Sequence, residues 1–67
     1  MLSQRQFEIL KLLSEGFTQK EVASQLDIKT RTVEYHINNI NIKLNANNTA
    51  HAVAIAYRTG IFETLQP

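Results

Sequence analysis

Arg31, Glu34, Tyr35 and Asn38 recur at i, i+3, i+4 and i+7, with Ile42 one turn further along. That spacing places them on one face of a helix. Their types suit recognition rather than bond-breaking. A carboxamide such as Asn38 can pair through both of its ends with adenine N6 and N7, and a carboxylate such as Glu34 can accept from cytosine N4. The Tyr35 ring can lie on a thymine methyl or reach a phosphate, and Arg31 suits a phosphate. Each residue also has a plainer reading. Asn38 can be a solvated helix residue. Glu34 can repel phosphate, or simply hold Arg31 three positions back.

The elements that must position this face read clearly. Val22 to Ile28, then Thr32 to Ile37, form two apolar stripes broken by a corner. Thr18-Gln19-Lys20-Glu21 is a capping box that opens the first of these helices, with Val22, Ala23 and Leu26 turned inward. Asp27 sits at the corner, where tolerance of left-handed backbone is useful. Ile28 plugs the corner from below. The second helix begins near Thr30, with an inner stripe of Val33, Ile37, Ile40 and Leu44, and stops at Asn45. Two helices joined by so short a turn cross steeply, at roughly 90–120°. Ala23 supplies the small residue at the crossing and Val33 packs beneath it. This geometry pushes the second helix outward, and the B-DNA major groove, about 12 Å wide, admits an α-helix. The helix starts at Gln19–Lys20 and Thr30–Arg31 offer N–H groups to phosphates.

Two further helices flank this pair. Ser3-Gln4-Arg5-Gln6 is a second capping box, followed by Gln6, Ile9, Leu10, Leu13 and Phe17 on one face. Gly16 stops that helix, and Phe17 folds back on Leu12. Asn48 caps the last helix. Its inward face is read as Ala50, Val53, Ala54 and Tyr57, and Gly60 ends it. His51, Ile55 and Arg58 then lie off that face. An exposed Ile55 beside small Ala52 suggests a modest contact with another helix, as in a dimer on DNA. Ile61 and Phe62 pack back, and Glu63 to Pro67 are a frayed tail. The expected fold is all-α: a compact four-helix domain with a central helix-turn-helix, its helices at about 3–15, 19–26, 30–44 and 48–59.

Sixty-seven residues make one domain with a small core; such a chain buries only roughly 60% of its unfolded surface. A deep active site is hard to build at this size. No nucleophile, base and orienting group fall at recognisable spacing, and Ser3, Ser14 and Ser24 read as caps or surface, so no enzyme is expected. There is no Cys, hence no disulfide frame or thiolate metal site. His36 reads as a residue at the rim of the core, far from His51 and without a carboxylate at ligand spacing. No metal or cofactor is expected. No apolar run approaches the roughly 18 residues of a membrane span, nor is there a signal peptide, so the expected location is the cytoplasm. The net charge of +1 is modest for a nucleic-acid binder. From Lys29 to Lys43, however, three basic residues face one acidic residue.

The chain resembles the LuxR/GerE class of bacterial transcription regulators from Leu2 to Phe62. The resemblance is carried by Leu2-Ser3-Gln4-Arg5, Ile9-Leu10, the run Glu15 to Ala23, the run Thr32 to Ile37, and Lys43-Leu44 with Asn48 and Ala52-Val53. Each piece is weak alone, and their order and spacing make the signal. Val33 to His36 with Asn39, Lys43-Leu44-Asn45 and Asn48 resemble the quorum-sensing branch most. The resemblance implies a DNA-binding domain whose third helix reads the major groove and whose fourth helps dimerise on an inverted repeat. By position, Glu34, Tyr35 and Asn38 fall where the family contacts bases. Lys20, Thr30, Arg31, Thr32 and Lys43 fall at or beside its phosphate contacts. RNA polymerase is an admissible partner, and an N-terminal sensor or receiver domain can precede such a unit. The chain departs from the pattern at Gln6, where the family often has Glu, and at Lys29, where it often has Ser and where Thr30 is expected to take over the cap. Glu34, Asn41 and Thr49 stand where the family often has Lys or Arg.

A second function fits the low charge: a small helical protein-interaction module gripping its partner through Tyr35 and Ile42. Steep salt dependence is the mark of DNA binding and separates the two.

Overall fold

The structure, a computed structural model, describes residues 1–63. Four helices follow in order: α1 (Gln4–Ser14), α2 (Gln19–Leu26), α3 (Thr30–Leu44) and α4 (Thr49–Arg58), then a 3₁₀ turn at Ile61–Glu63. No strand occurs among the described residues. The expected all-α architecture is therefore the observed one.

Local chemistry sets the helix starts. Ser3 Oγ accepts from Gln6 N at 3.1 Å while Gln6 Oε1 accepts from Ser3 N at 3.0 Å, a reciprocal cap on α1. Thr18 and Glu21 do the same for α2, at 3.1 and 2.8 Å. Asn48 Oδ1 accepts from His51 N at 2.9 Å and caps α4. The start of α3 is different. Its N-cap is Lys29, which gives no side-chain hydrogen bond, and Thr30 is already the first helical residue. The expectation that Thr30 takes over the cap is corrected: a residue inside the first turn cannot fold its hydroxyl back onto the N–H groups two and three positions on.

Three helix stops share one geometry. Gly16 (φ 97), Asp27 (φ 56) and Asn45 (φ 55) all take left-handed backbone. The next N–H closes onto the carbonyl five positions back in each case: Phe17 onto Leu12, Ile28 onto Ala23 and Ala46 onto Asn41. These are Schellman motifs, which bring the following apolar residue against the helix it has just left. Phe17, Ile28 and Ala46 all pack on the core.

That core is Ile9 and Leu10 of α1, Val22 and Ala23 of α2, Val33, Ile37 and Ile40 of α3, and Ala52 and Ala56 of α4. Helix α3 packs against each of the other three helices, so it is the common wall of the fold. Leu13, Leu26, Ile28, Leu44 and Val53 are half-buried around it. The expected inner faces of α1, α2 and α3 are those observed.

The face of α4 is corrected. Ala52 and Ala56 are buried and Val53 is half-buried, whereas Ala50, Ala54 and Tyr57 are exposed. Tyr57 is 58% exposed and lays its ring edge against Phe62, with centroids 5.0 Å apart. Phe62 also meets Phe7 at 6.1 Å and lies under the Lys11 ammonium at 5.3 Å. The 3₁₀ turn thus folds back as expected, and Glu63 belongs to it through its N–H to Gly60 O at 3.0 Å. The rest of the expected frayed tail, 64–67, lies outside the described residues.

Candidate nucleic-acid interface

Fifteen residues form α3, and its two faces have opposite fates. Val33, Ile37 and Ile40 are buried, while Arg31, Glu34, Tyr35, Asn38 and Ile42 all point to solvent. Tyr35 is 64% and Ile42 76% exposed. A large aromatic and a β-branched residue held in water on one stripe gain nothing from the fold. The Tyr35 ring makes an edge contact with His36, centroids 5.6 Å apart. His36 is half-buried at the rim of the core, as its position implied.

The expected base-reading set of Glu34, Tyr35 and Asn38 therefore sits together on an open ridge. Among the described residues the ion pairs are Arg5–Glu8 at 3.5 Å and Lys11–Glu15 at 3.8 Å, both within α1. Arg31 and Glu34 are not paired with each other in this structure.

The expected phosphate set is more scattered. Lys20 is exposed in the first turn of α2, and Arg31 is exposed in the first turn of α3. Thr30 and Thr32 are half-buried beside it. The uncapped start of α3 adds N–H groups and the positive end of the helix dipole at the same place. Lys43 lies at the other end of α3. Its ammonium donates to Gln6 Oε1 at 2.8 Å and to Met1 O at 3.2 Å.

Two of the residues expected at a dimer contact are less free than the sequence implied. His51 is half-buried, and its Nδ1 accepts from Asn47 N at 3.0 Å, which locks the turn before α4. Ile55 is half-buried rather than exposed. Arg58 is exposed at the end of α4, next in sequence to Tyr57. The exposed positions of α4 are instead Ala50, Ala54, Tyr57 and Arg58.

Gln6 is the residue the sequence underrated. Its place in the capping box and on the inner face of α1 is as the sequence implies, but it is 6% exposed and, among the described residues, is the buried polar residue of the core. A capping box with Gln inside an otherwise apolar face was the available signal.

A family model described as bacterial regulatory proteins of the luxR family matches residues 1–56. The chain belongs to the LuxR family. As a LuxR-family domain it is a DNA-binding unit of a transcription regulator, and the family is not an enzyme class. It is 41% identical over 66 residues to the transcriptional activator protein ExpR of Pectobacterium parmentieri, covering 98% of this chain and 27% of that protein. It is 42% identical over 64 residues to the transcriptional activator protein CarR of Pectobacterium carotovorum subsp. carotovorum, covering 96% and 26%. Against the response regulator protein VraR of Staphylococcus aureus it is 35% identical over 63 residues, covering 94% and 30%. The LuxR-family domain thus spans between a quarter and a third of these relatives. The solved structure of the transcription factor GerE superposes with a TM-score of 0.83 at 34% identity, covering 88% of each chain. The response regulator ChrA of a heme-sensing two-component system gives 0.87 at 33% identity, over 91% of this chain and 30% of that one.

Proposed function

We propose that the domain binds duplex DNA in a sequence-specific manner, with α3 in the major groove and two copies on an inverted repeat. One observation carries this reading. A single helix buries one stripe and leaves Arg31, Glu34, Tyr35, Asn38 and Ile42 exposed. In this reading Asn38, Glu34 and Tyr35 meet base edges, while Lys20, Thr30, Arg31, Thr32 and Lys43 meet or flank phosphates. The exposed side of α4, with Arg58 and the half-buried His51 and Ile55 at its margin, faces the second copy. The higher identity to the two activators than to the response regulator favours the quorum-sensing branch. Relatives several times longer than this chain fit a sensor or receiver domain joined to such a unit, with RNA polymerase as a further partner. DNA as the ligand puts the protein in the bacterial cytoplasm.

The test is a titration of Asn38→Ala against a duplex selected from a random pool and against variants of it. Discrimination at one base pair of each half-site should fall by about 1–3 kcal/mol. Unchanged preference at every base pair overturns the base-reading role. A flat salt response of wild-type binding favours the protein-interaction reading instead.

A further inference from the structure

Among the described residues most cations either make no side-chain hydrogen bond or ion pair or are cancelled locally. Arg5 and Lys11 are paired with Glu8 and Glu15 one turn away. Lys43 is neither. Its ammonium is fixed on two acceptors contributed by the start of α1, and both acceptors, a carboxamide and a backbone carbonyl, are neutral. Gln6 is what fixes it. The side chain is 6% exposed, and its Oε1 accepts from Ser3 N at 3.0 Å as well as from Lys43 at 2.8 Å. Both partners are donors only, so the oxygen end of the amide must face them. The capping box of α1 therefore sets the position of a side chain thirty-seven residues away.

An ammonium has three protons, and two are used. Twelve residues separate Arg31 from Lys43, about 18 Å along a helix axis. The two cations therefore stand near opposite ends of α3, Arg31 on the exposed ridge and Lys43 on the flank turned to α1, on a scale comparable with the roughly 12 Å major groove between its bounding phosphate strands. A lysine that is ordered before binding has already lost its rotamer freedom during folding, so a contact to phosphate costs less entropy.

We propose that Gln6 is a positioning residue for DNA binding: it holds the Lys43 ammonium at the α1–α3 edge as a preordered, uncompensated charge for a backbone phosphate. This rests on the reading of α3 as the groove helix.

The experiment measures affinity for a selected duplex across a salt series for the wild type, Lys43→Gln, Gln6→Glu and Gln6→Met. Circular dichroism establishes that each variant is folded. Gln6→Glu keeps the capping acceptor and so guards against loss of the fold. Lys43→Gln should flatten the log–log salt slope by about 0.9, one phosphate contact. Gln6→Glu should flatten it by most of that amount, because a carboxylate now cancels the held charge. Gln6→Met should leave the slope as it is and weaken binding about three- to tenfold, the cost of ordering a freed lysine. A Gln6→Glu slope equal to that of the wild type overturns the proposal, as does undiminished affinity in Gln6→Met. Failure of the groove reading looks different: Asn38→Ala then leaves base preference intact whatever the Gln6 variants do to the slope.

Discussion

The helix starts that follow the left-handed stops at Asp27 and Asn45 are built in opposite ways. At the α3–α4 junction, Asn45 takes φ 55, then Asn48 caps α4 and His51 accepts the Asn47 N–H. Polar side chains of the chain itself close that junction. At the α2–α3 corner, Asp27 takes φ 56, but Lys29 offers α3 no side-chain cap. Apolar packing closes the corner instead, with Ala23 and Val33 buried and Ile28 packed beneath. One helix start is satisfied internally. The other has no side-chain cap, and the Lys29 carbonyl takes the Thr32 and Val33 N–H groups at 2.9 and 3.1 Å. The difference separates a junction closed by polar side chains from one, closed by packing, that opens the helix carrying the exposed ridge.

That contrast can be broken most forcefully at the packed corner. Ala23→Leu places extra carbons at the α2–α3 crossing and should cost about 1–3 kcal/mol in chemical denaturation. Loss below a few tenths would mean the crossing is not packing-limited. Asn48→Ala should cost about 1 kcal/mol through the lost cap of α4. His51→Ala removes the acceptor of the Asn47 N–H and should cost about 0.5–1.5 kcal/mol in the same assay. The gentlest change sharpens the comparison by making the two junctions alike. Lys29 already has the extended backbone of a cap residue (φ −78, ψ 149), so Lys29→Ser should stabilise the domain by about 0.5–1 kcal/mol. The same variant should weaken DNA binding, by removing a cation and by occupying an N–H group. Stronger or equal binding would show that the open helix start does not serve the ligand.

Reading the chain alone succeeds where local chemistry leaves one solution. Ser3 with Gln6 and Thr18 with Glu21 mark two helix starts, and Gly16, Asp27 and Asn45 mark three stops. In α3 the apolar and polar residues separate cleanly, so its faces follow from spacing. In α4 they do not. Ala50, Ala52, Val53, Ala54, Ile55, Ala56 and Tyr57 are nearly all apolar, so any phase of the helix buries something. Packing of α4 on the core decides, and it buries the small pair Ala52 and Ala56. The tie between Gln6 and Lys43 was illegible for another reason. It spans thirty-seven residues, and no periodicity reports a contact made only when α1 lies across α3.

Because α3 is packed on three sides, a substitution on its inner stripe puts the whole domain at risk. Its outer stripe has no such tie. Exposed changes away from special features usually stay within about 0.5 kcal/mol of neutral. Arg31, Glu34, Tyr35, Asn38 and Ile42 can thus be exchanged while the scaffold persists. The helix is divided lengthwise into an inherited half and an adjustable half, so a lineage carrying this fold can acquire a new target sequence in single steps without passing through an unfolded ancestor.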